Sequence, residues 1–285
     1  MESLELFMTG NSQERVALVT GCGKHLGIGA AIARALGRDG KIIVASDVAP
    51  SGAPNLNEQP GDMAADWRGL PGLVDELAAA NVTCAAVMGD VSSEDDARRM
   101  VEFALDTFGR LDILVNNAAA PQSREFNDIE NVPLDAWQHV LDVNLTGTFL
   151  MCRAAVRPMR AQGWGRIINI SSIAGRSGSA RQGAYTASKH GIIGFTRSLS
   201  RDVARDGITV NAICPGGTYT SRVFSSARRS ADDIEAELKR RAESIPVGRL
   251  GTADDVANVA LFFASESSGY ITGQAQSVDG GVYQG

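Results

Sequence analysis

The sequence predicts an α/β fold: a single, doubly wound parallel sheet with helices on both faces. Segments typical of strands alternate with segments typical of helices along the chain, which is the pattern of parallel strands joined by right-handed helical crossovers. Most strand-like segments are continuously apolar rather than alternating, as expected for strands that are covered on both faces. The 285 residues include 31 glycines, which suit the many tight turns of such a fold.

The elements follow one another without an internal repeat or a linker, so residues 14–285 are predicted to form one domain behind a polar tail, residues 1–13. The predicted strands are 16–20, 41–47, 83–90, 111–118, 165–172, 208–215 and a short one within AQSVDGG, 275–281. The predicted helices are 27–38, 70–80, 92–108, 134–162, 185–206 and 252–264. The third helix opens with Ser92 and Asp95, which is close to a capping box.

Two long segments interrupt the alternation. Residues 50–69 separate the second strand from its helix and are rich in proline, glycine and polar residues. A loop of this length is usually either functional or disordered. Residues 217–250 follow the sixth strand and contain a polar, helix-like stretch, ADDIEAELKRRAES. We interpret this segment either as a mobile lid or as a solvated surface helix.

Composition and charge argue against several classes of protein. The net charge of −6 and the lack of a basic stripe argue against nucleic-acid binding. No apolar run approaches the roughly 18 residues that a membrane span needs, and the polar N-terminus lacks a signal-peptide core. Four cysteines without paired spacing are interpreted as reduced thiols: Cys22, Cys84, Cys152 and Cys214. We therefore expect a soluble, cytoplasmic protein with no nucleic-acid or membrane partner.

A glycine-rich turn after the first strand predicts a dinucleotide site. The turn reads TGCGKHLGIG and opens the first helix. Glycines let the backbone approach a pyrophosphate, and the helix N-terminus presents free N–H groups to it. Asp47 ends the second strand. A carboxylate at this position accepts hydrogen bonds from both hydroxyls of an adenosine ribose and repels a 2′-phosphate. This favours NAD over NADP, although Lys24 and His25 argue the other way unless they are merely solvated.

The stretch YTASKHG places Tyr185 and Lys189 one helical turn apart, so that the phenol and the ammonium share a helix face. A protonated amine beside a phenol stabilises the phenolate, which makes the tyrosine a better general base. A Tyr–Lys spacing of this kind, taken alone, also fits a half-buried tyrosine with a surface lysine. The function of the pair therefore depends on the rest of the chain.

Taken together, these motifs resemble the short-chain dehydrogenase/reductase family from about residue 14 to residue 283. The motifs are VTGCGKHLGIG, GDV, LVNNAA, DVNLTGTF, INISSIAG, YTASK, NAICPGGTYT and YITGQAQSVDGG. Ser172 lies 13 residues before Tyr185, which is the usual separation in the family. The resemblance implies a Rossmann-like sheet, a nicotinamide cofactor, a small-molecule alcohol or ketone substrate, and a homotetramer packed partly through helices 134–162 and 185–206.

The resemblance also implies roles for single residues. The catalytic tetrad is Asn144, Ser172, Tyr185 and Lys189. The cofactor contacts are Gly21, Gly23, Leu26, Gly27, Ile28, Gly29, Asp47, Asp90, Val91, Asn117, Tyr185, Lys189, Pro215, Gly216, Thr218 and Thr220. Tyr185 is expected to exchange the proton of the alcohol, and Asn144 to anchor a water that links Lys189 to solvent. No metal is expected, because His25, His139 and His190 are scattered and no ligand spacing appears.

Three departures from the family pattern leave alternatives open. Five residues separate Gly21 from Gly27, so either Gly23 takes the first-glycine role, which we favour, or the turn bulges by two residues. Ala119 replaces the glycine of the family's NNAG motif. The insert, residues 50–69, is longer than in most members. It is expected to fold over the adenosine end, to contact a neighbouring subunit, or to be an ordinary surface loop.

The sequence thus predicts an NAD-dependent oxidoreductase that interconverts a secondary alcohol and a ketone, with Tyr185 as general acid and base. The tail PVGRLGTADDVANVALFFASESSGYITGQ favours an alternative, an NADPH-dependent 3-ketoacyl reductase acting on a carrier-protein or CoA thioester, which Asp47 argues against. A non-catalytic dinucleotide sensor is a third possibility, disfavoured by the intact tetrad. The substrate itself is not predicted. Four loop arginines are candidates for pairing with an anionic substrate, or are simply solvated: Arg124, Arg176, Arg181 and Arg222.

Overall fold

The computed structural model of the chain describes residues 14–59, 62 and 66–284, so the predicted tail lies outside the described residues. Its strands are β1 (Val16–Thr20), β2 (Ile42–Asp47), β3 (Cys84–Met88), β4 (Ile113–Asn116), β5 (Gly165–Ile170), β6 (Ile208–Pro215) and β7 (Ala275–Val278). They form one seven-stranded parallel sheet in the order β3-β2-β1-β4-β5-β6-β7. The predicted fold class is confirmed.

Helices cover both faces of this sheet. They are α1 (Ile28–Arg38), α2 (Leu70–Ala79), α3 (Glu94–Phe108), α4 (Leu134–Leu141), α5 (Gly147–Gln162), α6 (Gly183–Val203), α7 (Ser221–Ser230), α8 (Ile234–Glu243) and α9 (Ala253–Ala264). In the part of the chain that the structure describes, no helix combines the length and the apolar character needed to cross a membrane.

The first strand shows why the strands are continuously apolar. Ala17 and Val19 pack into the layer that contains α1, α2 and α9. Val16 and Leu18 point to the opposite side and pack into the layer that contains α3 and α5. All four residues are fully buried. Because successive side chains of a strand face opposite ways, a strand between two helical layers needs apolar residues at every position.

The strand order creates a crevice at the carboxyl ends of β1 and β4. From β1 the chain moves outward to β2 and β3, and it then returns to the other side of β1 to form β4. The crossover loops on the two sides of this point run in opposite directions. Ligands of doubly wound sheets bind at such a switch point, so the fold alone predicts where the site lies.

The predicted helix 134–162 is interrupted by a π-helical turn. Residues Asp142–Thr146 form this turn between α4 and α5. The turn carries Asn144, whose side chain is fully buried. Single π turns inside helices are frequent at functional sites because they displace a side chain from the regular helical register.

The N-termini of α3 and α6 each differ from the prediction by two residues. The N-cap of α3 is Ser93, whose hydroxyl oxygen accepts a hydrogen bond of 3.3 Å from the backbone N–H of Asp96. The hydroxyl of Ser92, the predicted cap, instead donates to Asp90 at 2.7 Å. The predicted cap was one residue early because either serine can cap. The sixth helix begins at Gly183, so Tyr185 lies in its first turn.

The segment 217–250 contains two helices where the sequence predicted one. The predicted one is α8, whose single buried residue is Glu237, as in a surface helix. The other, α7, was missed because two of its buried positions, Ser221 and Ser225, are polar and break the apolar pattern that signals a helix.

The described part of the insert folds back on the turn that follows β1. Its two ends meet where the backbone N–H of Leu70 donates to Pro50 O at 2.7 Å. Gly69 allows this closure, because its φ is +70° and a Cβ there would lie 2.1 Å from Pro50 O. Trp67 donates its indole N–H to Gly23 O at 2.8 Å. The described part of the insert therefore packs against the predicted nucleotide turn.

Candidate active site

A cavity of about 670 Å³ opens at the carboxyl ends of the strands. The predicted site residues that line it are Gly21, Gly27, Ile28, Asp47, Asp90, Val91, Asn117, Ser172, Tyr185, Lys189, Pro215, Gly216, Thr218 and Thr220. Those that do not line it are Gly23, Leu26, Gly29 and Asn144. His139, expected to have no role in the site, also lines the cavity.

Gly21 and Gly23, both in the turn after β1, have different surroundings. Gly21 has a φ of +73°, and a Cβ there would lie 2.7 Å from Nδ2 of Asn117. Gly23 does not face the cavity, and its missing side chain makes room for the insert: a Cβ would lie 2.4 Å from the backbone nitrogen of Gly52. Of the two glycines, Gly21 faces the cavity and Gly23 packs against the insert, an arrangement that favours the alternative in which the turn bulges between Gly21 and Gly27.

The N-terminus of α1 fits a pyrophosphate. Its N-cap is Gly27, no side chain caps it, and the first turn contains no acidic residue. The first N–H groups of the helix therefore remain available to an anion at the positive end of the helix dipole. Together with the volume of the cavity, this open helix end fits the phosphates of a dinucleotide cofactor.

Asp47 lies at the end of β2 and lines the cavity. Its two carboxylate oxygens accept hydrogen bonds of 2.8 Å from the backbone N–H groups of Gly23 and Val48. Burial raises the pKa of Asp47 above its ordinary value, and the two amides oppose that shift. The carboxylate is thus held in place by the same turn that approaches the pyrophosphate.

The lysine of this turn is paired with the insert. Lys24 Nζ lies 2.5 Å from an oxygen of Glu58, and the two side chains are only 15% and 5% exposed. Glu58 also accepts hydrogen bonds of 2.9 Å from the backbone and side-chain nitrogens of Asn55. The positive charge that could have held a 2′-phosphate is therefore neutralised inside the protein.

Tyr185 and Lys189 lie one turn apart on α6 and both line the cavity. The Nζ of Lys189 donates to Ile170 O at 2.8 Å and lies 5.6 Å from the centroid of the Tyr185 ring. Burial lowers the pKa of Lys189 to about 7, and the positive charge of Arg222 acts in the same direction. Lys189 can therefore gain and lose a proton near neutral pH, whereas the sequence motif predicted a protonated amine.

Ser172 follows β5 and faces the same cavity. Its backbone is extended, with φ −171° and ψ 163°, and its Oγ accepts a hydrogen bond of 3.1 Å from the N–H of Ala174. Because this bond uses an acceptor site only, the hydroxyl hydrogen remains available for a substrate oxygen.

Asn144 lies behind the cavity rather than in its wall. Its Oδ1 accepts a hydrogen bond of 2.8 Å from the N–H of Ala120, and its Nδ2 donates to Ser188 Oγ at 2.9 Å. These two bonds join the loop after β4 to α6. Its side chain thus fixes the distance between two walls of the site.

Sequence reasoning missed a set of contacts that carry the insert across to α7. Asp62 of the insert pairs with Arg228 through two bonds of 2.5 Å. Asn55 Oδ1 accepts a bond of 3.0 Å from the N–H of Gln122, whose side-chain oxygen accepts one of 2.6 Å from Arg229. The insert is thus joined to the loop after β4 and to α7. The only indication of these contacts in the sequence was the opposite charge of the insert and α7.

The four candidate arginines lie in different surroundings. Arg124 pairs with Asp135, and Arg181 with Asp128, in surface ion pairs whose side chains are all more than half exposed. The guanidinium of Arg176 lies 5.2 Å from the centroid of the Tyr283 ring. Arg222 alone among the four lines the cavity.

Known proteins resemble the chain over nearly its whole length. A family model described as enoyl-(acyl carrier protein) reductase matches residues 21–283. The chain is 38% identical over 270 residues to the short-chain reductase protein NovJ of Streptomyces niveus, covering 95% of this chain and 94% of that protein. It is 36% identical over 271 residues to the 3-oxoacyl-(acyl-carrier-protein) reductase FabG of Pseudomonas aeruginosa, covering 95% and 98%.

Solved structures give the same picture. A structure of actinorhodin polyketide ketoreductase with NADPH matches with a TM-score of 0.84 and 32% identity, covering 94% of this chain and 97% of that one. A structure of levodione reductase matches with a TM-score of 0.84 and 29% identity, covering 94% and 98%.

Proposed function

Because the chain belongs to the short-chain dehydrogenase/reductase family of oxidoreductases, we propose that it interconverts a secondary alcohol and a ketone with NAD(H), with Tyr185 as the general acid and base. The observation that carries the proposal is that Tyr185, Ser172 and Lys189 line one cavity together with the open N-terminus of α1. Replacing Tyr185 by phenylalanine tests it, since NADH-dependent ketone reduction should be lost while NADH still binds.

Each polar group has one task in this mechanism. The nicotinamide, when bound, accepts or supplies the hydride. The phenolate oxygen of Tyr185 takes the proton of the alcohol in oxidation, and the protonated phenol gives it to the carbonyl oxygen in reduction. The hydroxyl of Ser172 donates to the substrate oxygen and stabilises the charge that develops there. Lys189 exchanges protons near neutral pH beside Tyr185, and Asn144 holds the loop after β4 against α6.

The preference for NAD(H) is supported by charge at the adenosine end. The carboxylate of Asp47 lines the cavity where the ribose hydroxyls would lie, and a 2′-phosphate there would meet a negative charge. Lys24, the cation of the adjoining turn, is neutralised by Glu58. Fluorescence titration with NADH and with NADPH tests this part, and we expect NADH to bind at least about tenfold more tightly, which corresponds to about 1.4 kcal/mol.

A second candidate is reduction of a 3-ketoacyl thioester with NADPH. It is favoured by 36% identity to FabG over 98% of that protein and by the NADPH in the ketoreductase structure. Asp47 and the pairing of Lys24 argue against it. Tighter binding of NADPH than of NADH would move this candidate to first place.

The proposal includes a homotetramer in the cytoplasm. Assembly through α5 and α6 is supported by Phe149 of α5, which is 42% exposed and packs edge-on against Phe195 of α6 with ring centroids 6.1 Å apart. An apolar pair on a helix surface is a suitable centre for a subunit contact. A reducing compartment is supported by Cys22, Cys152 and Cys214, which are buried and unpaired.

A further inference from the structure

Charge is unevenly distributed around the cavity. Asp47 and Asp90 line its adenosine side. Lys189, Arg222 and Arg241 line the side beyond Tyr185. No aspartate or glutamate among the described residues lines that side, so a substrate placed there meets basic side chains and no carboxylate.

Two residues of this group lie beside Tyr185: Lys189, whose Nζ donates to Ile170 O, and Arg222. Arg222 is the second residue of α7, and its guanidinium carbon lies 5.6 Å from the centroid of the Tyr185 ring. One Nη donates to Ala120 O at 2.5 Å. A guanidinium has five N–H donors, so most of its donors remain available to a ligand.

The other arginines of this region are differently engaged. Arg228 pairs with Asp62, and Arg241 pairs with Glu237. Arg222 forms no ion pair with any carboxylate of the described residues. Glu125 interacts with it electrostatically, but the Glu125 carboxylate accepts a hydrogen bond of 2.8 Å from the N–H of Ser123 and does not line the cavity. The charge of Arg222 is therefore directed at the cavity.

We propose that Arg222 binds a carboxylate of the substrate and that the substrates are short hydroxy acids and their oxo acids. A guanidinium binds a carboxylate through two parallel hydrogen bonds, which also fixes its orientation. Because Arg222 and Tyr185 lie side by side, the carboxylate must be only a few bonds from the carbon that exchanges the hydride. This inference rests on the proposed function and adds the class of substrate to it.

Binding is the most direct test, because it does not require that the natural substrate be known. The probes are 2-oxobutanoate and 3-oxobutanoate, each compared with its methyl ester, titrated into the full-length protein saturated with NAD⁺, which cannot reduce them. We expect at least one acid to bind at least about tenfold more tightly than its ester. Arg222→Gln should weaken that acid about 10- to 100-fold, the range for a charged hydrogen bond. It should leave the ester and NADH unchanged, and Arg222→Lys should restore part of the loss.

The control is Arg124→Gln, which removes an exposed arginine outside the cavity and should bind like the wild-type protein. Equal binding of acids and esters to the wild-type protein would overturn the inference. A loss of NADH affinity in Arg222→Gln equal to the loss of acid affinity would also overturn it, because Arg222 would then be bound to the cofactor phosphates.

Turnover of the same probes separates this inference from the proposed function. If ketones are reduced in a Tyr185-dependent way but the acids and their methyl esters behave alike, the proposed function holds and the role of Arg222 is wrong. If acids bind through Arg222 but no probe ketone is reduced, the carboxylate site holds and the proposed function fails.

Discussion

Lys24 of the turn after β1 and Glu58 of the insert form an ion pair of 2.5 Å, with side chains 15% and 5% exposed. The pair joins the nucleotide turn to a segment more than 30 residues away along the chain. In the proposed preference for NAD(H), this pairing occupies Lys24, so that the carboxylate of Asp47 is the unpaired charge offered to the adenosine ribose.

Glu58→Gln is therefore expected to change that preference. Without its partner, Lys24 can pair with a 2′-phosphate, so NADPH should bind about tenfold more tightly, while NADH affinity stays within about twofold. Fluorescence titration measures both. Glu102→Gln, which alters the exposed pair with Arg98, is the matched control and should change neither affinity. An unchanged NADPH affinity in Glu58→Gln would show that Lys24 does not reach the ribose.

Loss of single hydroxyl groups from the site is expected to reduce turnover without unfolding the protein. Tyr185→Phe removes the proton donor and acceptor and should lower kcat by about 10³-fold or more, and Ser172→Ala by about 10²- to 10³-fold. Steady-state rates with any ketone that is reduced measure this. Tyr219→Phe removes the same hydroxyl from an exposed tyrosine outside the cavity and should leave the rate unchanged. Comparable losses in all three variants would exclude a specific catalytic role.

Lys189 is expected to make the stability of the protein depend on pH. The pKa of Lys189 is lowered to about 7 in the folded protein, against about 10.4 in an unfolded chain. Between these values the unfolded chain binds a proton that the folded chain does not, so the free energy of unfolding rises with pH. Below about pH 7 both states are protonated, and the full cost of the buried charge is present.

Lys189→Met removes this titration. The free energy of unfolding of the wild-type protein should therefore rise relative to that of the variant between pH 7 and about pH 10. Urea denaturation at several pH values measures the difference. For Lys239→Met, at an exposed position of α8, the free energy of unfolding should change with pH in the same way as for the wild-type protein. A constant difference between the wild-type protein and Lys189→Met would mean that Lys189 does not titrate in this range.

The Asp62–Arg228 pair is expected to control the release of the cofactor. It joins the insert to α7, two segments that both contribute other residues to the cavity wall, and the two side chains are 4% and 19% exposed. Asp62→Asn leaves Arg228 without its carboxylate and should loosen the insert, raising the dissociation rate of NADH about tenfold in stopped-flow fluorescence. Asp95→Asn, in an exposed pair with Arg98, should not change the rate. Lower thermal stability with an unchanged dissociation rate would make the pair merely structural.

The sheet could be predicted because the residues of each strand show by themselves whether the strand is buried. A strand such as β1, buried on both faces, must be apolar at every position, and this is visible in five residues. In the same way, Tyr185 and Lys189 could be paired from their spacing alone, since helical geometry fixes the face they share.

The remaining features depend on contacts between distant residues. Gly21 and Gly23 look equivalent in sequence, and it is the contacts with Gly52 and Trp67 that show Gly23 packing against the insert. The pair between Asp62 and Arg228 joins residues 166 positions apart. The low pKa of Lys189 depends on its burial and on the nearby charge of Arg222. Neither can be deduced from the sequence of α6.

Transfer of deuterium from the cofactor to the substrate tests the central claim most directly. The protein is incubated with a ketone panel that includes the oxo acids and with NADH deuterated at C4 of the nicotinamide, and the products are examined by mass spectrometry. We predict an alcohol one mass unit heavier, with the label on the carbinol carbon, formed by the wild-type protein and not by Tyr185→Phe. Bound NADH with no labelled alcohol from any ketone, or equal labelling by Tyr185→Phe, would contradict the proposal.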